Sequence, residues 1–238
     1  MSLSVDQKLI ENYRHYYDQG DGTAEWRRLG ALDKCSNIIR LCSGLAHDRI
    51  LEIGCGEGAV LERLATLDFG RTFVGLEVSE SGVRMVEKKN IPSISTKLFD
   101  GYEIPYRERC FDLAILSHVL EHVEYPRRLI REAARVATMV FVEVPLENNW
   151  RLSSDFVFDR VGHINFYDRK CIRRLVQSCD MKTIEEHLSH SSVSSYVYRK
   201  GRFRGGLAYV TKELGLKIWP GCATSMFTYH YCLTYTQA

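Results

Sequence analysis

The amino-acid sequence predicts a doubly wound α/β fold, a mostly parallel seven-stranded sheet finished by an antiparallel C-terminal strand. Three observations predict it. Strand-sized apolar runs alternate with segments of helical spacing between residues 32 and 188. The connections between successive runs are too long for hairpins, which implies right-handed crossovers between parallel strands. The first run ends in the glycine cluster Gly54-Cys55-Gly56-Glu57-Gly58, where such sheets turn tightly toward a ligand.

In chain order, residues 7–19 read as a helix with Leu9, Ile10, Tyr13 and Tyr17 on one side. A second helix carries Leu32, Cys35, Ile38, Ile39 and Cys42 at helical spacing. Residues 49–53 form the first strand, and Val60, Leu61 and Leu64 mark the helix after the glycines. Strands follow over 73–78, 93–99 and 113–116. Pro126 opens a helix bearing Leu129, Ile130 and Ala133, whose arginines 127, 128, 131 and 135 read as its solvated side. Residues 139–144 are the fifth strand. Asp168 suits an N-cap for a helix with Ile172, Leu175, Val176 and Cys179 on its buried stripe, and a strand over 181–188 follows. The rhythm then breaks. Residues 191–225 hold six basic side chains (Arg199, Lys200, Arg202, Arg204, Lys212 and Lys217) against one acid, Glu213. Over 226–236, Phe227, Tyr229, Tyr231, Leu233 and Tyr235 alternate with polar or small residues, the pattern of an added antiparallel strand. The expected division is a helical lid over 1–47, a ligand-binding core over 48–190, a basic insertion over 191–225 that could serve as a substrate flap, and the final strand over 226–238.

Composition narrows the function. The 238 residues are 45% hydrophobic, enough chain for a sizeable core. The 32 Lys+Arg stand against 30 Asp+Glu, a net charge of +2, so neither disorder nor a strongly basic nucleic-acid binder is indicated. No apolar run approaches the roughly 18 residues of a membrane-spanning helix, and the first residues lack a signal-peptide core. A cytoplasmic protein without membrane insertion is expected. The eight cysteines contain no C-x-x-C pair and mostly sit among apolar residues, so they read as small core side chains.

The sharpest local signal is Glu52-Ile53-Gly54-Cys55-Gly56-Glu57-Gly58. Glycines there let the backbone turn and approach a ligand closely. The loop by itself also satisfies a loose dinucleotide fingerprint through Gly54, Gly56 and Ala59, which leaves a nicotinamide cofactor open. Glu77 ends the second strand, where a carboxylate can accept from both hydroxyls of a ribose. Glu52 lies beneath the loop, and a charged carboxylate there disfavours a pyrophosphate and favours a ligand bearing ammonium and sulfonium groups.

The motif Glu52-x-Gly54-x-Gly56-x-Gly58 resembles the first motif of the class I S-adenosylmethionine-dependent methyltransferases. The resemblance continues through Asp100-Gly101-Tyr102-Glu103-Ile104-Pro105-Tyr106 and through Phe111-Asp112 to Ser117-His118-Val119-Leu120-Glu121-His122. Gly162-His163-Ile164-Asn165-Phe166-Tyr167 is similar to the segment that leads into the helix after strand five. It spans about residues 49–188 and is closest to the small-molecule branch of the family. The resemblance implies the Rossmann-like methyltransferase fold and S-adenosylmethionine as cofactor, with S-adenosylhomocysteine as product. It places the backbone of Gly54, Cys55 and Gly56 along the methionine moiety, Glu77 on the ribose, and Val78 against the adenine. Asp100 and Gly101 would meet the adenine amino end, and Ser117 and His118 would lie nearest the sulfonium and the acceptor. Asp112, at the start of its strand, is remote from that edge.

His118 and His122 stand one helical turn apart with Glu121 between them, but no third ligand is near in sequence, so no metal is expected. A base is required only if the acceptor must lose a proton, as a sugar or phenol hydroxyl would, and His118 or His163 could then serve. The resulting expectation is methyl transfer to a small-molecule or glycan acceptor, at oxygen. RNA or protein methylation is the alternative that the basic segment keeps open, and a cofactor-binding but inactive scaffold is another. Tyr13, Tyr16, Tyr17 and Trp26 could close a lid over the cofactor or pack against the sheet.

Overall fold

The computed structural model describes residues 24–156 and 162–237. In chain order it comprises α1 (Ala24–Cys42), β1 (Arg49–Ile53), α2 (Ala59–Thr66), β2 (Thr72–Glu77), α3 (Glu80–Lys89), β3 (Ile94–Leu98) and β4 (Phe111–Ser117). After a short 3-10 turn (Leu120–His122) come α4 (Pro126–Val136), β5 (Ala137–Pro145), α5 (Arg169–Gln177) and β6 (Met181–Ser189). Three consecutive helices, α6 (Val193–Lys200), α7 (Arg202–Ile218) and α8 (Pro220–Met226), precede β7 (His230–Gln237). The sheet order is β3-β2-β1-β4-β5-β7-β6, with β7 antiparallel to both its neighbours and the other pairings parallel. Strand order reverses between β1 and β4, the topological switch at which open α/β sheets bind ligands beyond their carboxyl ends.

Both sheet faces are covered, which is why the central strands read as continuous apolar runs rather than as alternation. On one face Ile50, Phe73, Leu113, Ile115 and Phe141 pack with Cys35 and Ile38 of α1, Leu61 and Leu64 of α2 and Val86 of α3. On the other, Leu51, Ile53, Leu116, Val140 and Val142 meet Leu129 and Ile130 of α4, Ile172 and Val176 of α5, and Tyr231, Leu233 and Tyr235. At the amino edge Asp112 accepts from the Arg49 backbone N–H at 2.8 Å and from its guanidinium at 2.7 Å, which pins the starts of β1 and β4 together. That bond to Arg49, against a smaller opposing effect of burial, holds the Asp112 carboxyl below its ordinary range.

Three sequence expectations change, and a fourth falls outside what the structure describes. The last strand begins at His230, not at residue 226, because Pro220 opens a helix that runs through Met226. The boundary drawn after residue 47 does not separate a lid: α1 buries Cys35, Ile38, Leu41 and Cys42 in the core, while Trp26 stands half exposed. The proposed helix over residues 7–19, with Tyr13, Tyr16 and Tyr17, lies outside the described residues. Finally, Arg135 is not simply solvated. Its guanidinium donates to the carbonyls of Tyr106 (2.8 Å) and Ile104 (2.9 Å) and pairs with Glu132, clamping the segment after β3 onto α4.

Phe141 is fully buried near the middle of the sheet. Phe141→Ala is expected to lower the unfolding free energy by about 3–5 kcal/mol, read from urea denaturation midpoints at constant slope.

Candidate active site

The carboxyl edge of the sheet is built on backbone shapes that the sequence dictates. Gly54, Gly56 and Gly58 all lie in the left-handed region, with φ of +73°, +55° and +71°. A Cβ at Gly54 would come 2.9 Å from Val119 Cγ2, and one at Gly58 would come 2.7 Å from Val86 Cγ2. The loop N–H groups are committed inward. Those of Gly54 and Cys55 donate to the Leu76 carbonyl, that of Gly58 to the Cys55 carbonyl, and that of Gly56 to Glu77 Oε2 at 2.7 Å. Four amides that a pyrophosphate cradle would need are therefore already bonded to the protein.

Glu77 is buried at the end of β2, and its Oε1 also accepts from the N–H groups of Val78 and Ser79, each at 3.0 Å. Burial pushes its carboxyl up, and the three N–H bonds oppose this. Three donors leave acceptor capacity on Oε2, since a carboxylate offers about four lone-pair sites. Glu52 behaves otherwise than expected. It is buried beneath the loop, one of its oxygens has no hydrogen-bond partner, and desolvation, reinforced by Glu77 and opposed by Lys34, pushes it up to about 8. It is a neutral acid near pH 7, not the fixed negative charge read from sequence.

The loop after β3 is a turn closed by its own aspartate. Asp100 Oδ1 accepts from the N–H groups of Tyr102 (2.8 Å) and Glu103 (2.7 Å), and Gly101 takes φ +91°. The buried Tyr102 hydroxyl accepts from the N–H groups of Glu124 and Tyr125, which joins this loop to the start of α4.

Beyond β4 the chain makes a strained exit: His118 is a non-glycine residue at φ +58°. Its Nδ1 lies 3.1 Å from Glu121 Oε1 and its Nε2 3.8 Å from Glu143 Oε1. Glu143, fully buried in β5, also accepts from Asn37 Nδ2 (2.8 Å) and the Ser117 hydroxyl (2.7 Å), with His230 Nδ1 at 3.3 Å. Burial would lower His118, but Glu121 and Glu143 outweigh it and push it up to about 9. Burial would raise the two carboxyls, yet His118 holds Glu121 down, and His118 with His230 holds Glu143 well below the carboxylate range. The hydroxyl of Ser117 is thus turned to Glu143.

The segment 162–167 is stitched to the 3-10 turn. The N–H groups of Ile164 and Asn165 donate to the Glu121 carbonyl, the Asn165 side chain to the carbonyls of Leu120 and Val123, and the Tyr167 hydroxyl to Leu120. This places the His163 ring 4.7 Å from that of His122, with His163 Nδ1 2.6 Å from Glu147 Oε2. His122 Nδ1 faces the Gly162 carbonyl at 3.1 Å, and burial lowers its pKa. Folding supplies third ligands that the sequence did not place. One ligand atom from each of Glu121, His122 and His163 lies within 4.8 Å of the others, as does one from each of His118, Glu143 and His230, so either trio could hold a metal ion. Sequence reading missed Asn37, Glu143, Glu147 and His230 as site residues. A carboxylate inside the apolar run 139–144 was the one signal for them.

A methyltransferase-domain model matches residues 24–186, the span that carries this loop, the Glu121, His122 and His163 cluster, the first five strands and the greater part of β6. The chain belongs to the methyltransferase domain family. It is 30% identical over 138 residues to 27-O-demethylrifamycin SV methyltransferase of Amycolatopsis mediterranei, covering 56% of this chain and 49% of that one. It is 34% identical over 92 residues to the mitochondrial ubiquinone biosynthesis O-methyltransferase of Candida albicans, covering 36% and 28%. The chain thus spans half or less of these relatives' length. Among solved structures, a phosphoethanolamine N-methyltransferase of Haemonchus contortus, in complex with phosphomonomethylethanolamine and S-adenosylhomocysteine, shares the fold. The TM-score is 0.62 at 13% identity, over 98% of this chain and 57% of that one.

In this methyltransferase domain, His118 has a folded pKa above its ordinary 6.5, so its stabilisation is complete below about pH 6.5 and fades as pH rises through about 9. The depressed Glu121 and Glu143 contribute above the ordinary carboxyl range and lose their contribution as pH falls through their folded values. His118→Gln is expected to cost about 3–5 kcal/mol near pH 6.5 and clearly less at pH 9, measured by urea unfolding across that range.

Proposed function

We propose that this protein binds S-adenosylmethionine at the carboxyl ends of β1 and β2 and transfers its methyl group to an oxygen of a small-molecule acceptor. The observation that carries the reading is the glycine loop, whose left-handed turns direct its amides into the protein and whose Gly56 N–H binds Glu77, so that loop and carboxylate form one surface at the same sheet edge. That surface suits an uncharged ribose and a methionine chain better than a pyrophosphate. The buried, neutral Glu52 can release its proton to meet a cationic ligand. When bound, the cofactor supplies a methyl group already activated by the sulfonium charge.

The protein's own part is to align the acceptor, exclude water and receive a proton. His118 is expected to be the imidazolium near neutral pH and so is poorly suited as a base. His163 suits the role better, because Glu147 at 2.6 Å orients its Nδ1–H and directs Nε2 to accept. Acceptors of the two relatives named above are oxygen centres in a rifamycin and in ubiquinone biosynthesis, which supports oxygen over nitrogen.

Calorimetric titration tests the cofactor. S-adenosylmethionine and S-adenosylhomocysteine are expected to bind in the micromolar range and NAD not at all, with at least a tenfold loss (about 1.4 kcal/mol) in Glu77→Ala whose melting transition is intact. Tight NAD binding would overturn the reading. For an acceptor found by screening, His163→Ala and Glu147→Gln are each expected to lower kcat by about 10²–10⁴-fold while leaving cofactor affinity within twofold. Unchanged kcat would remove the base assignment, and loss on EDTA treatment restored by Mg²⁺ would reassign His163 as a metal ligand.

A further inference from the structure

The second-longest helix described, α7, turns an apolar stripe away from the protein. Phe203, Leu207, Val210, Leu214 and Ile218 are 85%, 61%, 51%, 50% and 58% exposed. At 100° per residue they fall within an arc of about 80° and run for about 22 Å along the helix. Trp219, 72% exposed, extends the stripe at its C-terminal end. An apolar row of this length, continuous and uncovered among the described residues, is more than scattered surface hydrophobes.

The charge around it has one sign. Arg199, Lys200, Arg202, Arg204 and Lys217 are all exposed. The single acid of the three-helix segment, Glu213, is paired with Lys217 at 3.0 Å and faces His190 at 3.1 Å. Lys212, by contrast, is turned inward. It donates to the Thr228 carbonyl at 2.6 Å and lies over the rings of Tyr196 and Tyr229. On the helical wheel Lys217 and Arg204 flank the stripe on opposite sides, where long side chains can lay their stems on apolar surface and lift their charges to a headgroup layer.

These features separate the possible occupants. A second copy of the chain would bring two predominantly basic faces together. An anionic lipid surface matches both the apolar arc and the charge, as in helices that lie in the plane of a membrane interface. No described helix is long and apolar enough to cross a membrane, so the mode is lying on the surface. The segment also springs from the rim of the active site. It joins the end of β6 to the start of β7, where Ser189 pairs with His230, the residue 3.3 Å from Glu143.

We propose that the outer face of α7 docks this protein, lying flat, on an anionic phospholipid bilayer, with Phe203, Leu207, Val210, Leu214, Ile218 and Trp219 entering the headgroup boundary. Docking is a property of this face and does not depend on the methyl-transfer reading.

The test is co-sedimentation of the full chain with vesicles of phosphatidylcholine plus phosphatidylglycerol, and with phosphatidylcholine alone. Binding is expected with the anionic vesicles, falling steeply with added salt, and at least tenfold weaker without the anionic lipid. The double variants Leu207→Glu/Leu214→Glu and Arg204→Glu/Lys217→Glu alter only exposed side chains, so each is expected to keep the parent's melting transition and to lose about tenfold or more in vesicle binding. No sedimentation with anionic vesicles at low salt would overturn the proposal. So would undiminished binding by the folded leucine variant, or a dimer seen by light scattering that this variant turns into a monomer.

Discussion

A carboxylate with no access to water holds the functional edge together. Glu143 sits in β5 and receives donors from α1 through Asn37 and from β4 through Ser117, with His118 and the first residue of β7, His230, beside it. Four segments distant in sequence therefore share one buried charge. A lone buried carboxylate would take up a proton; the contacts with His118 and His230 hold this one well below the carboxylate range against its burial. Its position also explains the strained exit of β4. The His118 N–H donates to the Glu143 carbonyl at 2.9 Å, and the left-handed turn at His118 brings the ring back toward the carboxylates. The cost of that backbone shape is offset by an ion pair that exists only when the turn is made.

Electrostatics divides the site in two. Glu121 lies in the 3-10 turn between the histidines, fully buried and held ionised chiefly by His118. On one side His118 is protonated and locked between carboxylates. On the other, burial lowers the pKa of His122, which packs against His163, whose partner is Glu147. Two histidines one helical turn apart are thus shifted in opposite directions, by what surrounds each and not by their spacing.

Most of the parallel sheet was legible because burial on both faces forces continuous apolar runs such as 113–116, and because left-handed turns call for glycine at positions 54, 56 and 58. The antiparallel last strand was legible from its alternation but not its start, since residues 220–226 hold no apolar stripe to mark a helix. The helix α3 carried no named signal: its sequence ESGVRMVEKK buries one apolar side chain, Val86, and packs instead through Ser81 and Gly82. A Cβ at Gly82 would sit 2.9 Å from the Gly56 carbonyl oxygen, so closeness to the glycine loop, not an apolar face, fixes that helix. In the site, residues within one motif were readable, and those joined across the fold were not. Glu143 and His230 come within 3.3 Å only because β7 returns antiparallel beside β5, and although a carboxylate in an apolar run marks position 143, nothing along the chain marks its partner.

The charge of Glu52 shows where reading a side chain from its neighbours in sequence goes wrong. Two residues before the loop, it suggests a negative charge waiting for a cation. In the fold it lies under the loop on the α1 and α2 side, where the loss of water, with Glu77 adding to it, outweighs the pull of Lys34. A neutral acid costs less there than a buried anion would. The same economy runs along the whole edge. Glu77 accepts from Val78 and Ser79 of its own turn and from Gly56 of the loop, Asp100 accepts from the N–H groups of Tyr102 and Glu103, and the loop amides bond inward. Polar groups that must wait for a ligand are kept few, and those that shape the edge are paired within the protein, so the edge can hold its form before anything binds.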